Sequence, residues 1–242
     1  MIQPRARGSS SRNSALSAPN QQVAVVIPAY NEEARIGAVL RAACQARLVN
    51  EIIVVSDGSS DRTVEVAQRH RNVRVVALSK NRGKGAAMAA GVQASEAGII
   101  AFVDADLDDL RPEHVDQIIR PLLGGHCDMC IGVFRGGKFW SDTAQRISPY
   151  ISGQRALTRT LFEAVPYISE MRMGVEVSIN TYARRVHARV LRVVLRGVSN
   201  TYKEKKMGLV KGLAARWEMY HDIVNAKVRM RRRKPRWRAR HH

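Results

Sequence analysis

Short unbroken apolar runs, each followed by a polar cluster and then by apolar residues at helical spacing, fill the first half of the chain. Val23 to Ile27 is the first run and stops at Pro28; Asn31-Glu32-Glu33 then opens a helix carrying Ile36, Val39, Leu40 and Ala43. Glu51 to Val55 is the second run, ending in Ser56 to Asp61 before a second helix. Val73 to Leu78 is the third, and Lys80 to Gly85 leads from it into an alanine-rich helix from Ala86 to Ala94. Ile99 to Val103 is the fourth, and a helix from Pro112 with Val115, Ile118, Ile119 and Leu122 follows it. Asp128 to Phe134 is a fifth strand. Continuous runs of β-branched residues, in place of alternation, belong to strands covered on both faces. Successive β-then-α units therefore predict an α/β fold with a single mostly parallel sheet flanked by helices.

Beyond Arg135 the pattern loosens. A loop from Gly136 to Pro149 precedes Ile151 to Arg155, which opens a helix-like stretch to Ala164. Gly174 to Arg185 reads as a helix and Val190 to Leu195 as a last strand, interrupted by arginine. From Leu209 a helix presents Leu213, Trp217, Tyr220 and Val224 as one stripe. The expected organisation is a disordered Ser/Arg/Asn/Gln/Pro-rich tail over residues 1–22, one α/β domain over 23–202, and an amphipathic helix with a basic tail over 203–242.

Charge changes this picture more than composition does. Forty Lys+Arg against 21 Asp+Glu give a net charge of +19 over 242 residues, and residues 203–242 alone hold fourteen Lys/Arg and three acids, a surplus of 11. Such a tail suits an anionic membrane surface; nucleic acid is the less favoured partner, because no familiar RNA-binding motif accompanies the charge. No run reaches the ~18 apolar residues of a membrane span, so a soluble or peripheral protein is expected. Cys44, Cys127 and Cys130 make no disulfide framework and read as small buried apolar residues, in keeping with a reducing cytosol. A homodimer is compatible with the chain.

The chemistry lies where the strands end. In a parallel sheet all carboxyl ends share one edge, so Pro28 to Glu32, Asp57, Lys80 to Lys84 and Asp104-Ala105-Asp106 converge on one crevice. Asp-x-Asp at the end of a buried strand supplies hard oxygen ligands, and Mg²⁺ or Mn²⁺ needs only one or two carboxylates when phosphate oxygens complete its shell. Lys84, between Gly83 and Gly85 at a helix start, offers a cation beside backbone N–H groups that favour anions. Tyr30 offers an aromatic face and Asp57 an acceptor for a base or ribose. A nucleoside diphosphate with its metal matches this set.

VVIPAYNE (25–32), VVSDGSSD (54–61), GKGAA (83–87) and FVDAD (102–106), in that order and spacing, resemble the family-2 glycosyltransferases of the GT-A fold over about Val23 to Arg135. Within that family the chain is similar to the polyprenyl-phosphate sugar transferases and the glucosyl-3-phosphoglycerate synthase-like branch. The resemblance implies transfer of a sugar from a nucleoside-diphosphate-sugar donor to a phosphorylated small-molecule or lipid-phosphate acceptor. It implies that Pro28, Ala29, Tyr30 and Glu32 border the nucleotide, that Asp57 reads the base or ribose, that Asp104 with Ala105 meets ribose and donor sugar, and that Asp106 holds the metal. Ser152-Gly153-Gln154-Arg155 resembles the segment lining the acceptor pocket, with Arg155 pairing an acceptor phosphate or carboxylate. Glu176 resembles the family's acidic position after that loop and is the candidate general base, its pKa open to being raised by Val175, Val177 and Ile179.

One departure stands out: relatives often carry a metal-binding His where Val198 to Glu204 stands here, leaving Asn200 as a weaker carbonyl ligand. A pyrophosphorylase would need a Gly-rich basic loop after the first strand, and a dinucleotide dehydrogenase G-x-G-x-x-G there; neither is present. The remaining rival is a nucleic-acid- or membrane-binding protein with a catalytically decayed transferase domain.

Overall fold

The computed structural model describes residues 20–135 and 152–200. The expected loop at 136–149, the N-terminal tail up to residue 19, the C-terminal tail and the stripe of Leu213 to Val224 lie outside the described residues, and so do the side chains of Arg135 and Asn200.

Seven strands form the main sheet in the order β3-β2-β1-β4-β7-β6-β8. They are β1 (Val23–Ala29), β2 (Glu51–Asp57), β3 (Val73–Leu78), β4 (Ile99–Phe102), β6 (Met129–Arg135), β7 (Arg155–Thr158) and β8 (Val190–Arg196). All are mutually parallel except β7, which runs antiparallel between β4 and β6. A second, two-stranded sheet pairs β5 (Leu107–Asp108) with β9 (Ser199–Asn200). The helices are α1 (Ile36–Gln45), α2 (Thr63–Gln68), α3 (Lys84–Gln93), α4 (Pro112–Leu123), α5 (Arg159–Ala164) and α6 (Val175–Arg185).

The sheet separates two apolar layers. On one face Val25, Ile27, Ala101 and Cys130 pack with Ile36 and Leu40 of α1 and Ile118 and Ile119 of α4. On the other, Val26, Val55, Phe102 and Ile131 pack with Ala87 and Met88 of α3, Phe162 of α5 and Ile179 of α6. Small residues let α3 lie close: a Cβ on Gly91 would stand 2.3 Å from the Val26 side chain.

Chain order and pairing also create the crevice. The chain moves outward from β1 to β2 and β3, then returns to add β4 on the other side of β1, which is where an open sheet leaves a ligand cleft. Pairing of β1 with β4 ends at Val26–Phe102, whereas pairing with β2 continues to Ala29–Ser56. Pro28 sits in that one-sided stretch, where a proline costs least in a strand.

Several expectations change. Helix α1 begins at Ile36 and not at Asn31, because the amides of Asn31, Glu32 and Glu33 donate instead to Ser59, Thr63 and Asp61 of the β2–α2 loop, at 3.2, 2.8 and 3.1 Å. The helix-like reading from Arg155 fails over its first four residues, which form β7; only Arg159–Ala164 is helical. Cys44 is exposed, not buried, whereas Cys127 and Cys130 are buried as expected. Strand β8 is found where expected and tolerates its arginines because, among the described residues, it pairs only with β6 at the sheet's edge.

Candidate active site

At the crevice the loop after β1 is tied to the loop after β2. Asn31 adopts a left-handed φ of 54° and accepts the Ser60 N–H at 2.9 Å. Tyr30 projects from this junction with half of its surface exposed, while Ala29 is buried and Pro28 half-buried. Glu32 turns toward its own helix and accepts from Arg35 at 3.2 Å.

Asp57, at the end of β2, is buried and accepts the N–H groups of Arg82 and Gly83, each at 2.7 Å. The next two amides are also used: Lys84 N–H donates to the Arg172 carbonyl at 3.2 Å and Gly85 N–H to the Met171 carbonyl at 3.0 Å. Gly83 accommodates this closeness with φ 96°, and a Cβ there would lie 2.4 Å from the Arg172 Cα. The GKG turn is therefore not the open backbone cradle expected from its spacing, since its N–H groups serve the fold. The charge it delivers is the Lys84 side chain.

That ammonium forms the centre of the site. Lys84 Nζ donates to Asp104 Oδ1 at 2.6 Å and to Glu176 Oε1 at 2.5 Å. The other oxygen of Asp104 accepts from Gln154 Nε2 at 2.9 Å, and Gln154 Oε1 in turn accepts from the Ser152 hydroxyl at 3.0 Å. Gly153 lies so close that a Cβ would stand 2.1 Å from Asp104 Oδ2. The turn after β4, α3 and the loop before β7 thus meet at one carboxylate, and α6 joins them through Lys84.

Burial pushes the Lys84 ammonium down, but Asp104 and then Glu176 pull it up, and the balance holds it above its ordinary 10.5. Burial likewise pushes the Glu176 carboxyl up, yet Lys84 and Arg155 outweigh it and hold Glu176 below its ordinary 4.5. The expected rise at Glu176 is thereby reversed: its apolar neighbours are present, but two cations are nearer.

Arg155 and Gln154, expected from sequence to line the acceptor pocket, are both buried. Arg155 is wholly buried in β7, and Gln154 is 1% exposed. The Arg155 fork donates to the Ser152 carbonyl at 2.5 Å, to Asn180 Oδ1 at 3.0 Å and to the Glu176 carbonyl at 3.3 Å, while its Nε has no partner among the described residues. Burial lowers its pKa against the pull of Glu176 and Asp104. As the first residue of a central strand, Arg155 is turned inward, where its hydrogen bonds brace the site.

Asp106 follows buried Ala105, is half-buried, and leads directly into β5. Pairing of Leu107 with Asn200 brings the β9 backbone beside it. Asn180 was not singled out from sequence, and Ser152 and Gly153 were named only as part of the acceptor-like segment. Asn180 had one readable signal, its position one helical turn beyond Glu176.

Comparison with known proteins agrees with this architecture. The chain matches the model of Glycosyl transferase family 2 over residues 24–181. The undecaprenyl-phosphate 4-deoxy-4-formamido-L-arabinose transferase of Edwardsiella ictaluri is 26% identical over 234 residues, covering 86% of this chain and 70% of that one. Human dolichyl-phosphate beta-glucosyltransferase is 40% identical over 103 residues, covering 36% of this chain and 32% of that protein, so the match spans about a third of that relative. Glucosyl-3-phosphoglycerate synthase from Mycobacterium tuberculosis, solved with Mn²⁺, UDP-glucose and phosphoglyceric acid, aligns with a TM-score of 0.68 at 25% identity over 85% of this chain and 79% of that chain. The matched family covers the main sheet except β8, with the Asp-x-Asp turn and Glu176, and the solved relative shares the fold: the chain is a glycosyltransferase and belongs to glycosyl transferase family 2.

Proposed function

We propose that the crevice transfers a sugar from a nucleoside-diphosphate donor to an acceptor that attacks through an ionised phosphate oxygen, as a lipid-phosphate acceptor would. The observation that carries this reading is the placement of Glu176, whose carboxyl accepts from the Lys84 ammonium at 2.5 Å, an arrangement in which Lys84 and Arg155 outweigh burial and hold its pKa below the ordinary carboxylate value. A carboxylate so held is a weak base at neutral pH, and efficient general-base catalysis needs a pKa near the working pH. A hydroxyl acceptor would need a base, whereas a phosphate oxygen is already nucleophilic. Two relatives are named for undecaprenyl-phosphate and dolichyl-phosphate, which supports the same acceptor class. The solved relative with phosphoglyceric acid supports the wider class of phosphorylated acceptors.

In this reading Tyr30 and Asp57 border the nucleoside, with Pro28 and Ala29 forming the floor. Asp104, fixed by Lys84 and Gln154, faces ribose and donor sugar. The acceptor oxygen forms a bond to the anomeric carbon as the bond from that carbon to the diphosphate oxygen breaks, and the nucleoside diphosphate leaves with the electron pair. Lys84 stabilises the negative charge that accumulates on the leaving group.

The donor set also fits Mg²⁺ or Mn²⁺, being made of hard carboxylate oxygens at a strand end. Asp104 gives one oxygen to Lys84 and one to Gln154, so Asp106 would be the first ligand and Asp104 the second; the Asn200 side chain, the third ligand expected from sequence, lies outside the described residues. Bound there, the ion would neutralise charge on the departing diphosphate. Solved relatives contain Mn²⁺ or Mg²⁺ with UDP.

Transfer assays with UDP-, GDP- and ADP-sugars and Mn²⁺ test this reading, using a short-chain polyprenyl phosphate and phosphoglyceric acid as competing acceptors. Product on the polyprenyl phosphate is expected. Product only on the phosphoglycerate hydroxyl would overturn the ionised-phosphate reading, and no product with any donor would overturn the transferase reading of this crevice.

A further inference from the structure

The first turn of α4 grips the chain where it leaves the main sheet. Strand β8 ends its pairing with β6 at Arg196, turns through Gly197 at φ 80°, buries Val198 and enters β9, whose Ser199 and Asn200 pair with Asp108 and Leu107 of β5. Arg111, the residue before α4, donates from Nη2 to the Arg196 carbonyl at 3.3 Å, across 85 positions of chain. The His114 ring stands beside it, with Nε2 at 3.4 Å from the same Nη2, and it too interacts with the Arg196 carbonyl.

Which nitrogen of that ring carries the hydrogen follows from its neighbours. His114 is buried, and its Nδ1 accepts the Arg111 backbone N–H at 3.1 Å. Burial, and then the Arg111 guanidinium, hold the ring below its ordinary 6.5 against the pull of the Arg196 carbonyl, so it is neutral at pH 7. A neutral imidazole has one acceptor nitrogen and one donor, which leaves the hydrogen on Nε2. Of the groups beside Nε2, a guanidinium only donates, whereas the Arg196 carbonyl accepts.

Capping α4 does not by itself call for a histidine. The third helical position commonly takes Glu or Gln, whose oxygen serves the same N–H, and a carboxylate there would also complement the helix dipole. What a carboxylate lacks is a donor for the Arg196 carbonyl. His114 caps with one nitrogen and faces that carbonyl with the other, so two donors from the start of α4 converge on one oxygen at the β8–β9 turn.

That turn bears on the crevice through β9. Asp106 immediately precedes β5, β5 is paired with β9, and Leu107 and Val198 share one apolar layer with Val115 of α4. We propose that His114 and Arg111 are positioning residues for the divalent ion: by fixing the Arg196 carbonyl they hold β9 against β5, and so set where Asp106 presents its carboxylate. This rests on the reading of Asp106 as the first ligand of that ion.

H114Q and H114E separate the two bonds, since both side chains accept the Arg111 N–H and only the amide can also donate to Arg196. UDP, GDP and ADP are each titrated calorimetrically into the full chain of the wild type and both variants over a series of Mn²⁺ concentrations. The Mn²⁺ concentration giving half-maximal nucleotide binding is expected to rise about tenfold or more in H114E and to stay within about threefold of the wild type in H114Q. Amide exchange over residues 105–110 and 196–200, followed without metal, is expected to quicken in H114E and not in H114Q. Equal Mn²⁺ dependence in the two variants would overturn the proposal, and so would faster exchange in H114E beside an unchanged Mn²⁺ dependence, which marks a clamp that serves the fold alone. Should H114E fail to fold, R111M removes the other donor at an exposed position, and the same midpoint is expected to rise by a smaller factor; no rise would overturn the proposal. Nucleotide binding to the wild type that ignores Mn²⁺, or no binding at all, refutes the metal reading of Asp106 itself, and the role of the clamp falls with it.

Discussion

Lys84 and Glu176, 92 positions apart in the chain, meet at 2.5 Å, and the same ammonium reaches Asp104 at 2.6 Å. One cation thus joins the start of α3, the end of β4 and the first turn of α6. Its side chain is 30% exposed and that of Glu176 10%, so the pair is sheltered yet open to a ligand on one side. An arriving diphosphate meets a charge already held in place, which is the preorganisation that electrostatic catalysis requires.

Replacing Lys84 removes the charge opposite the leaving group. K84A is expected to lower kcat by roughly 10²–10³, the scale seen when one preorganised electrostatic contact is deleted. Steady-state kinetics under saturating donor check this, with circular dichroism to show that the fold is kept.

E176Q separates the two roles open to that carboxylate. A general base contributes roughly 10²–10⁴ to the rate, so loss of that size would make Glu176 the base. The ionised-phosphate reading expects less than about tenfold, through disturbed placement of Lys84. The same variant with a hydroxyl acceptor provides the contrast.

The pH dependence of stability follows from the direction of the Glu176 shift. Its folded pKa lies below the ordinary 4.5, so its stabilising contribution is fully present above about 4.5 and is lost as pH falls through the folded value. The urea midpoint of the wild type is expected to exceed that of E176Q by a constant amount between pH 5 and pH 8, in the usual range of protein stability measurement, and the gap is expected to narrow below about 4.5.

Gly153 is expected to be intolerant of even one methyl group. A Cβ there would stand 2.1 Å from Asp104 Oδ2, so G153A must displace Asp104 or the 152–154 loop. Activity is expected to fall by about 10²-fold, the scale of a misplacement near 1 Å, with the far-ultraviolet spectrum retained.

Much of this was legible in the sequence where local pattern and tertiary structure agree. The runs at Val23, Glu51, Val73 and Ile99 are long, β-branched and unbroken, and each became a strand whose carboxyl end faces the crevice. Strand β7 was not legible, because Arg155-Ala156-Leu157-Thr158 is too short to show a period and owes its extended form to pairing with β4 and β6 on both sides. The placement of Arg155 failed with it: a charged residue reads as exposed unless the strand that buries it is known. The GKG turn misled for a related reason, since only the fold shows that Asp57, Met171 and Arg172 consume its amides. Glu176 was found, but the sign of its pKa shift depends on Lys84 and Arg155, which approach it from distant parts of the chain.

Arg155 carries the most demanding stability prediction. R155M leaves Asn180, Ser152 and Glu176 without their shared donor in a buried place, and a loss of about 3–5 kcal/mol is expected by chemical denaturation. R155K keeps the charge without the fork and is expected to lose less.

The central claim is that the Asp104, Asp106 and Lys84 crevice binds the diphosphate of a nucleotide with a divalent ion. Calorimetric titration of UDP, GDP and ADP into the wild type and D106N, with and without Mn²⁺, measures it directly. Binding of at least one of the three to the wild type, dependent on Mn²⁺ and lost in D106N, is the predicted result. Binding that ignores both Mn²⁺ and the Asp106→Asn change, or no binding of any of the three, would contradict it.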